Sequence, residues 1–338
     1  MSRKARQRGL KGRYRQKLND SIAAIPGPTA YFDEKARLQI TLPAELELSG
    51  RQASCLGTFE VLHKVVSLRR RHPLRIAFTK LRHICPESCL ILAAEIYLWK
   101  LRSKSRLRVL EDEWDPVVLE LLRDMGYFEL LELPDPDLVS VARNIRFLKF
   151  RTGSLVSGED ARKLRLDLEA VVQSKIPKNQ LYDGLTEAIT NTVHHAYPNE
   201  GANRWWISGS YDSATSELCV MCLDRGVGIP ATLPKSSKWE KIQSVLGSAG
   251  LLSDHGHLIK AAITTRRSGT GKLHRGRGLG QFFEFTDEFS DSRLQIVSGR
   301  GRYLRVRRNS RPETEKVFTL PREFAGTLIS WRAKIDHE

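Results

Sequence analysis

Between residues 34 and 132, short stretches of alternating apolar and polar residues are separated by stretches in which apolar residues recur with helical spacing. Strict alternation is the pattern of a strand, and recurrence every three to four residues is the pattern of an amphipathic helix. The predicted strands are Leu38–Leu42, Leu74–Phe78 and Arg106–Leu110, and the predicted helices are 52–70, 86–100 and 115–126. Because strands alternate with helices, we expect a small α/β sandwich here.

Residues 133–159 separate this domain from a second one. The stretch Leu133-Pro-Asp-Pro-Asp137 breaks regular structure, because proline fixes φ and lacks an N–H donor. Asn144–Phe150 then predicts the first strand of the next sheet, and Ser157 is a typical N-cap for a helix that reaches Gln173. We therefore predict a basic flexible arm (1–33), an α/β domain (34–132), a linker (133–159), a second α/β domain (160–334) and a short tail (335–338).

The helical pattern is strongest between Leu181 and Tyr197, and Pro198 predicts that this central helix ends near Tyr197. Its apolar residues share one side: Leu181, Leu185, Ala188, Ile189, Val193 and Ala196. Glu187, Asn191 and His195 follow one another at intervals of one turn beside that side. An amide carbonyl is a neutral ligand for Mg²⁺, and a nearby carboxylate can take a proton from a nucleophile. An ordinary surface helix has the same pattern.

A hairpin pattern follows, with alternating stretches at Arg204–Tyr211 and Glu217–Leu223. The second stretch ends in Asp224-Arg-Gly-Val-Gly-Ile-Pro230. A carboxylate at this point can accept a hydrogen bond from the exocyclic amine of adenine, whereas guanine presents a carbonyl there and leaves the carboxylate unpaired. Gly226 and Gly228 would let the backbone approach a ligand. By itself, Asp-x-Gly-x-Gly is also typical of an ordinary turn.

A second glycine-rich segment, Arg275-Gly-Arg-Gly-Leu-Gly280, precedes the apolar Phe282 and Phe283 of a predicted helix. Glycines before a helix expose backbone N–H groups that can bind phosphate, and the positive end of the helix dipole also favours an anion at that place. A tight turn without a ligand has the same sequence pattern.

The formal charge of the 338-residue chain is +16, which indicates an acidic partner such as a nucleotide, a nucleic acid or a membrane surface. Residues 1–20 hold eight Lys or Arg residues and one acidic residue, and therefore carry +7 of this charge. A solvated flexible arm and an arm that contacts a polyanion are both consistent with that composition.

Cysteine usage and hydropathy indicate a cytoplasmic protein without a membrane contact. The five cysteines are an odd number, and no apolar run has the length of a membrane span or of a secretory signal. Cys219 and Cys222 form a Cys-x-x-Cys inside a predicted strand, where residues three apart face opposite sides and cannot share one metal. Cys85 and Cys89 have no second ligand pair nearby, so we do not expect zinc.

The central helix and the two glycine segments, in this order, resemble the gyrase–chaperone–histidine kinase–MutL (GHKL) ATPase superfamily, which has the Bergerat ATP-binding fold. Thr186–Tyr197 is similar to its N box, closest to that of the anti-sigma-factor serine kinases. Asp224–Gly228 is similar to the first glycine box, Gly276–Gly280 to the second, and Gly326–Trp331 to the closing strand. The resemblance covers roughly half of the chain and implies a two-layer α/β sandwich, with a mixed sheet and helices on one face.

The resemblance implies that ATP and Mg²⁺ are the ligands. Asn191 would then ligate Mg²⁺, Asp224 would recognise adenine, and Glu187 would be the general base of any reaction. Thr327 would join Asp224 through water, and His195 falls where the serine kinases also carry histidine, although a packed structural histidine is an equal interpretation. The glycine boxes would contribute Gly226, Gly228, Gly276, Gly278, Leu279 and Gly280 to the nucleotide site.

Members of this superfamily have a mobile lid over ATP between the two glycine boxes, which corresponds here to about residues 231–275. The segment is basic, and its stretch Thr264–Gly271 is polar and contains glycine, as a closing loop requires. Arg266 or Arg267 would reach the γ-phosphate, with a solvated run of charge as the alternative.

The first domain resembles a STAS domain, the module of anti-sigma-factor antagonists and sulphate transporters. That family commonly has a phosphorylatable Ser or Thr where the second strand leads into its helix. The corresponding stretch is Ile84-Cys-Pro-Glu-Ser-Cys89, in which Ser88 is close to that position but the usual Asp-Ser-Ser/Thr-Gly pattern is absent. We therefore expect Ser88 to be a structural serine in the first turn of a helix.

These features together predict a cytoplasmic ATP-binding regulatory protein whose lid closes on Mg·ATP and controls the binding of a protein partner. Slow ATP hydrolysis, or phosphate transfer to a partner Ser or Thr, is an open possibility with Glu187 as the base. The alternatives are a nucleic-acid-associated ATPase that uses the basic arm and a non-catalytic scaffold that binds ATP. No phosphoacceptor histidine segment precedes the second domain, so we do not expect a complete sensor histidine kinase.

Overall fold

The protein has a mixed α/β architecture, as seen in a computed structural model, and the residues that this structure describes form three sheets. The structure describes residues 16, 20, 22, 24–32, 37–48, 52–67, 74–102, 114–134, 143–198, 203–236, 239–267, 280–309 and 311–335, with the backbone only for 52 and 265–267. The chain divides into two compact units, of which the first comprises Met1–Glu120 with Phe128–Asp137 and the second Leu121–Tyr127 with Leu138–Glu338. Within the described part, no helix has both the length and the apolar character that a membrane span requires.

The first unit has two small sheets and several helices. Strand β1 is antiparallel to β2, β2 is parallel to β4, and β3 forms a separate parallel pair with β5. The strands are β1 (Thr29–Phe32), β2 (Leu38–Thr41), β3 (Glu45–Leu46), β4 (Leu74–Ala77) and β5 (His83–Ile84). The helices are α1 (Gln52–Val66), α2 (Pro86–Arg102), α3 (Pro116–Met125, which ends in the second unit) and α4 (Tyr127–Leu131).

Most of the strands and helices predicted for residues 34–132 are confirmed at their expected positions. The sequence pattern did not predict β1, which lies within the residues assigned to the arm. The third predicted strand, Arg106–Leu110, lies outside the described residues. Helix α3 begins where it was expected, because Asp115 Oδ1 accepts the N–H groups of Val117 (3.0 Å) and Val118 (3.3 Å) as an N-cap.

Helix α2 passes through the core of the first unit. Its apolar stretch Cys89–Ala94 is fully buried, as expected for a helix that is apolar on most sides. Ser88, in the first turn, is also fully buried, and its hydroxyl lies 3.2 Å from Cys85 Sγ and 3.4 Å from Cys55 Sγ. Burial raises the pKa of the Cys55 thiol to about 12. Ser88 is therefore packed among thiols.

The second unit has one six-stranded sheet with the order β10-β11-β9-β8-β6, and β7 also pairs with β8. The strands are β6 (Ile145–Phe147), β7 (Arg151–Gly153), β8 (Trp205–Asp212), β9 (Glu217–Asp224), β10 (Ser292–Arg308) and β11 (Arg311–Lys334). Every pairing of these strands is antiparallel, so the expected mixed sheet is wrong for the described part of this unit. Short hairpins join β8 to β9 and β10 to β11, and a hairpin makes neighbouring strands antiparallel.

Helices cover one face of this sheet. They are α5 (Gly158–Val172), α6 (Lys178–Asn191) with a π-helical turn (Thr192–Ala196), α7 (Ile229–Thr232) with a 3₁₀ turn (Leu233–Lys235), α8 (Trp239–Ser248), α9 (His255–Arg267) and α10 (Gln281–Asp287). Alternate residues of the central part of the sheet pack with the apolar side chains of these helices in one core, including Ile207, Val220, Cys222, Ile296, Ile329 and Trp331. Burying one such side chain stabilises the fold by about 1.5–3 kcal/mol.

Local signals placed several of these elements correctly. Ser157 caps α5 by accepting the N–H of Asp160 at 3.2 Å, and the helix ends one residue before Gln173. The hairpin predicted at 204–223 is β8 and β9. Cys222 lies in the core on the helix side, whereas Cys219 Sγ lies 4.0 Å from Ser330 Oγ, and strand alternation puts that pair on the opposite face.

Candidate functional site

The central helix ends in a wider turn than the sequence predicted. Helix α6 buries Leu181, Leu185 and Ala188 against the sheet, as the apolar pattern indicated. Its last turn, Thr192–Ala196, is π-helical rather than α-helical, although it ends before Tyr197 as expected. A π turn closes i→i+5 hydrogen bonds, so His195 does not lie one α-helical turn beyond Asn191. Both His194 and His195 are exposed.

This end of the helix is fastened to the first glycine box. Tyr197 donates its hydroxyl to the carbonyl of Arg204 (2.8 Å) and accepts the backbone N–H of Arg225 (2.9 Å). The N–H of Val227 donates to the carbonyl of Ala196 at 2.8 Å. A Cβ on Gly226 would stand 2.1 Å from the Ala196 carbonyl oxygen, so only glycine allows this approach. The end of the central helix and the segment Asp224–Gly228 thus form one connected structure.

Asp224, the last residue of β9, faces Thr327 of β11 in the register of the sheet. It is 7% exposed, and its Oδ1 accepts the N–H of Gly226 at 2.8 Å. Burial raises the pKa of the Asp224 carboxyl to about 6, against the opposing effect of the Gly226 N–H, the charge of Arg225 and the Thr327 hydroxyl. The carboxyl is therefore a buried acceptor already held by two neighbours.

Ser298 of β10 connects Thr327 to the rest of the site. Its hydroxyl oxygen lies 3.2 Å from Thr327 Oγ1 and 2.9 Å from the carbonyl oxygen of Gly326, and it accepts the N–H of Ile229 at 2.9 Å. Ser298 is fully buried. The Ser298 side chain therefore connects β11 to the start of α7.

A bulge in β11 produces this arrangement. Ser298 pairs with Thr327, but the next residue of β10, Gly299, pairs with Phe324, so that β11 has two additional residues at this point. Gly326, one of these two, has φ +90°, a value that L side chains rarely adopt, and its Cβ would meet the Asp224 carbonyl oxygen at 2.1 Å.

Arg225 holds the turn after Asp224 against this bulge. Its Nη1 donates to the carbonyl of Ala325, and its guanidinium lies 5.0 Å from the centroid of the Phe324 ring. The side chain is 6% exposed, so this arginine is a packed structural cation.

Asn191, Asp224 and Thr327 line one cavity of about 410 Å³, a size typical of small-molecule sites. Its apolar wall includes Ala188, Cys222, Ile242, Ala262, Phe282 and Ile329. Its other polar residues are Thr192, His194, His195, Thr232, Lys235 and Ser236. Gly228, with φ +83°, also borders the cavity, whereas Gly226 is turned to the central helix. The cavity thus combines a buried carboxyl acceptor with apolar side chains.

Glu187 and Asn191 contact each other. The Asn191 amide nitrogen donates to the Glu187 carbonyl (2.9 Å) and to Glu187 Oε1 (2.7 Å), so its Oδ1 is the atom that Asn191 can offer a cation. Among the described residues, no group of three His, Cys, Asp or Glu side chains could hold a metal ion. Asn191, with Glu187 beside it, could supply one oxygen ligand to a Mg²⁺ ion whose other ligands come mostly from a nucleotide and water. Glu187 is not among the described residues that line the cavity.

The segment expected to be the lid is largely helical where it is described. Ile242 and Leu246 of α8 and Ile259 and Ile263 of α9 are buried in the core of the second unit. The backbone of Arg266 and Arg267 belongs to α9, but their side chains lie outside the described structure. Four members of the second glycine box, Gly276, Arg277, Gly278 and Leu279, also lie outside the described residues, and Gly280 is the N-cap of α10.

Sequence reasoning missed Ser298, Tyr197 and Lys235 as site residues. Tyr197 follows the last turn of the central helix, but its hydrogen-bond partners, Arg204 and Arg225, are on two other segments. Ser298 is 29 residues from Thr327, and alternation in β10 indicates its face without indicating its partner. Lys235 lies within the basic segment 231–275 that was expected to be the lid, and its composition alone does not single out this lysine.

No family model matches the chain. A comparison with curated proteins finds no significant match either. The features that bear on its function are therefore the motifs of the sequence and the cavity where Asn191, Asp224 and Thr327 meet.

Proposed function

We propose that this chain is an ATP-binding regulatory protein of the GHKL superfamily, with the nucleotide site in its second unit and a STAS-like module in its first. In this proposal Mg·ATP binds in the cavity beside α6, and closure of the segment between the glycine boxes changes the affinity for a protein partner.

The observation that carries the proposal is the environment of Asp224. A buried carboxyl lines a cavity that has an apolar wall, accepts the N–H of Gly226 at 2.8 Å and lies opposite Thr327 in the sheet. Such a group can accept the exocyclic amine of adenine, whereas the carbonyl of guanine would leave a buried acceptor unpaired, at a cost of about 1–3 kcal/mol. The site therefore supports recognition of adenine over guanine.

The surroundings of Asp224 support the same ligand. Phe282, Ile329 and Ala188 provide apolar surface for the faces of a purine ring. Asn191, on the wall of the same cavity, can offer one carbonyl oxygen to Mg²⁺. The bound metal would supply charge neutralisation of the phosphates.

Titration calorimetry of the full chain with Mg·ATP and Mg·GTP tests this function. We expect ATP to bind at least about tenfold more tightly than GTP, the ratio that corresponds to about 1.4 kcal/mol. Asp224→Asn should weaken ATP binding, and Asp183→Asn, a half-buried carboxylate of α6 away from the cavity, is the matched control. Equal affinity for ATP and GTP would contradict the proposal.

A second candidate, a scaffold that binds ATP without turnover, is favoured by one observation. Glu187 accepts a hydrogen bond from Asn191 and is not among the described residues that line the cavity. A base must reach the proton that it removes. Phosphate release and transfer of label from [γ-³²P]ATP to protein, followed over a single turnover, would separate this scaffold from an ATPase or a Ser/Thr kinase.

A further inference from the structure

The carboxylate of the cavity is buried, whereas the basic side chains of the cavity are exposed. Asp224 is the only carboxylate among the described residues that line it, and it is buried. Lys235 is the only lysine or arginine in that set, and it is exposed. His194 and His195 are exposed as well and line the same cavity. The cavity therefore has a buried acceptor at one place and nitrogen donors where it meets solvent.

Lys235 is held in place by a short anchored segment. This segment starts at Ile229, whose N–H donates to Ser298 Oγ at 2.9 Å. Leu233 is buried, and the N–H of Ser236 donates to its carbonyl at 2.9 Å. Thr232 Oγ1 donates to the carbonyl of Ile229 at 3.0 Å. The backbone that carries Lys235 is thus tied to the serine that also contacts Thr327.

Two prolines restrict the same segment. Pro230 and Pro234 each occupy the first or second position of a helical turn, where a fixed φ near −65° favours the helical conformation. When a ligand binds beside Lys235, the segment therefore loses little backbone entropy, and most of the entropy lost is that of the Lys235 side chain.

Lys235 also has donors to offer. Within the described part of the chain, no ion pair involves its ammonium group. An ammonium has three N–H donors and acts as a point charge toward phosphate. A ligand that contacts both the buried Asp224 and the exposed Lys235 has a neutral amine-bearing ring for the carboxyl and an anionic tail for the ammonium.

We propose that Lys235 binds the phosphate groups of the nucleotide whose base is held at Asp224, and that it makes the site select adenine nucleotides over adenosine. This inference rests on the proposed function and adds a residue and a specificity to it. The phosphate contact comes from the segment directly after the first glycine box, whereas sequence reasoning had assigned it to Arg266 or Arg267.

The test compares Lys235→Met with Lys241→Met, an exposed lysine of α8 that does not line the cavity. Titration calorimetry measures the affinities for Mg·ATP and for adenosine. We expect Lys235→Met to weaken Mg·ATP binding about tenfold or more, the effect of losing a hydrogen bond to a charged group, and to change adenosine binding less than about twofold. Lys235→Arg should retain most of the ATP affinity, and Lys241→Met should behave like the wild type.

The outcomes separate the inference from the proposed function. Unchanged Mg·ATP affinity in Lys235→Met, or an equal loss for ATP and adenosine, would overturn the phosphate role while leaving the adenine site intact. A wild-type protein that binds no adenine compound would overturn both. Far-ultraviolet circular dichroism and thermal unfolding of each variant check that the fold is unchanged, since Lys235 is exposed and its removal should leave both signals at wild-type values.

Discussion

Ser298 and Thr327 lie opposite each other in the antiparallel pair of β10 and β11, and their hydroxyl oxygens are 3.2 Å apart. Thr327 also faces Asp224 in the register of β9 and β11, and its hydroxyl favours the charged form of the Asp224 carboxyl. The single proton of the Ser298 hydroxyl goes to the carbonyl of Gly326, which can only accept. Ser298 therefore holds in place the bulge residue directly before Thr327.

Replacing Ser298 by alanine should therefore affect both stability and ligand binding. Ser298→Ala leaves the half-buried Ile229 N–H and the buried Gly326 carbonyl without this partner, and we expect a loss of about 1–3 kcal/mol in the free energy of unfolding. ATP binding should weaken because the bulge at Gly326, directly before Thr327, loses the hydrogen bond that holds it. Urea unfolding and calorimetry measure the two effects. Ser330→Ala, a buried serine of β11 outside the cavity, should leave ATP affinity unchanged.

The parts of the fold that were predictable depend on local signals. Ser157 as an N-cap, Pro198 as the end of the central helix and the hairpin of β8 and β9 each involve residues close in sequence. The π turn was not predictable, because its residues also fit an α-helix and the contacts of Ala196 and Tyr197 with the glycine box accompany the wider turn.

The candidate site was predictable in its motifs but not in its connections. Asp224, Asn191 and Thr327 were singled out, and all three line one cavity. The bulge at Gly326 and the bridging role of Ser298 depend on pairing between distant strands, which alternation alone does not specify. The antiparallel arrangement of the strands in the second unit was not predicted either, because the mixed sheet was inferred from the resemblance and not from the hairpin pattern.

The buried carboxyl of Asp224 should make ATP binding depend on pH. Its pKa is raised from 3.8 to about 6 in the folded protein, so the carboxylate that accepts the adenine amine is lost as pH falls through about 6. We expect the dissociation constant for ATP to rise below that pH. Calorimetry at a series of pH values checks this, and Asp224→Asn should abolish the pH-dependent component. A flat profile between pH 5 and 8 would contradict it.

The same carboxyl has the opposite effect on the stability of the ligand-free protein. Because its folded pKa is higher than its unfolded value of 3.8, the folded state binds more protons than the unfolded state between about pH 4 and 6. This group therefore contributes stability below pH 3.8 that is lost as pH rises through about 6. Comparing the unfolding free energies of wild type and Asp224→Asn across this range isolates the contribution.

Gly226 should tolerate no side chain. Gly226→Ala places a methyl group 2.1 Å from the Ala196 carbonyl oxygen, which would separate the glycine box from the end of the central helix. We expect a loss of about 1–3 kcal/mol in the free energy of unfolding together with weaker ATP binding. Gly247→Ala, in α8 with only Leu252 at 3.5 Å, is the control and should be neutral or stabilising.

Asn191 should matter for nucleotide binding only when the metal is present. Asn191→Ala removes the one amide oxygen offered to Mg²⁺ from a half-buried position, so the fold should be retained. We expect weaker binding of Mg·ATP and an unchanged affinity for ATP in excess EDTA. A similar loss under both conditions would mean that Asn191 contacts the nucleotide itself or supports the helix.

Glu187 decides whether the site performs chemistry. If ATP is turned over, Glu187→Ala should lower the single-turnover rate by about 10²–10⁴-fold while ATP affinity stays close to that of the wild type. The substitution also removes the carboxylate that accepts the Asn191 amide at 2.7 Å. Glu187→Gln, which retains an acceptor oxygen but is a much weaker base, therefore serves as the control for the position of Asn191. A slow Glu187→Gln variant with normal Mg·ATP affinity would assign Glu187 a catalytic role. Wild-type turnover in both variants would contradict it, and the absence of turnover in the wild type would favour the scaffold.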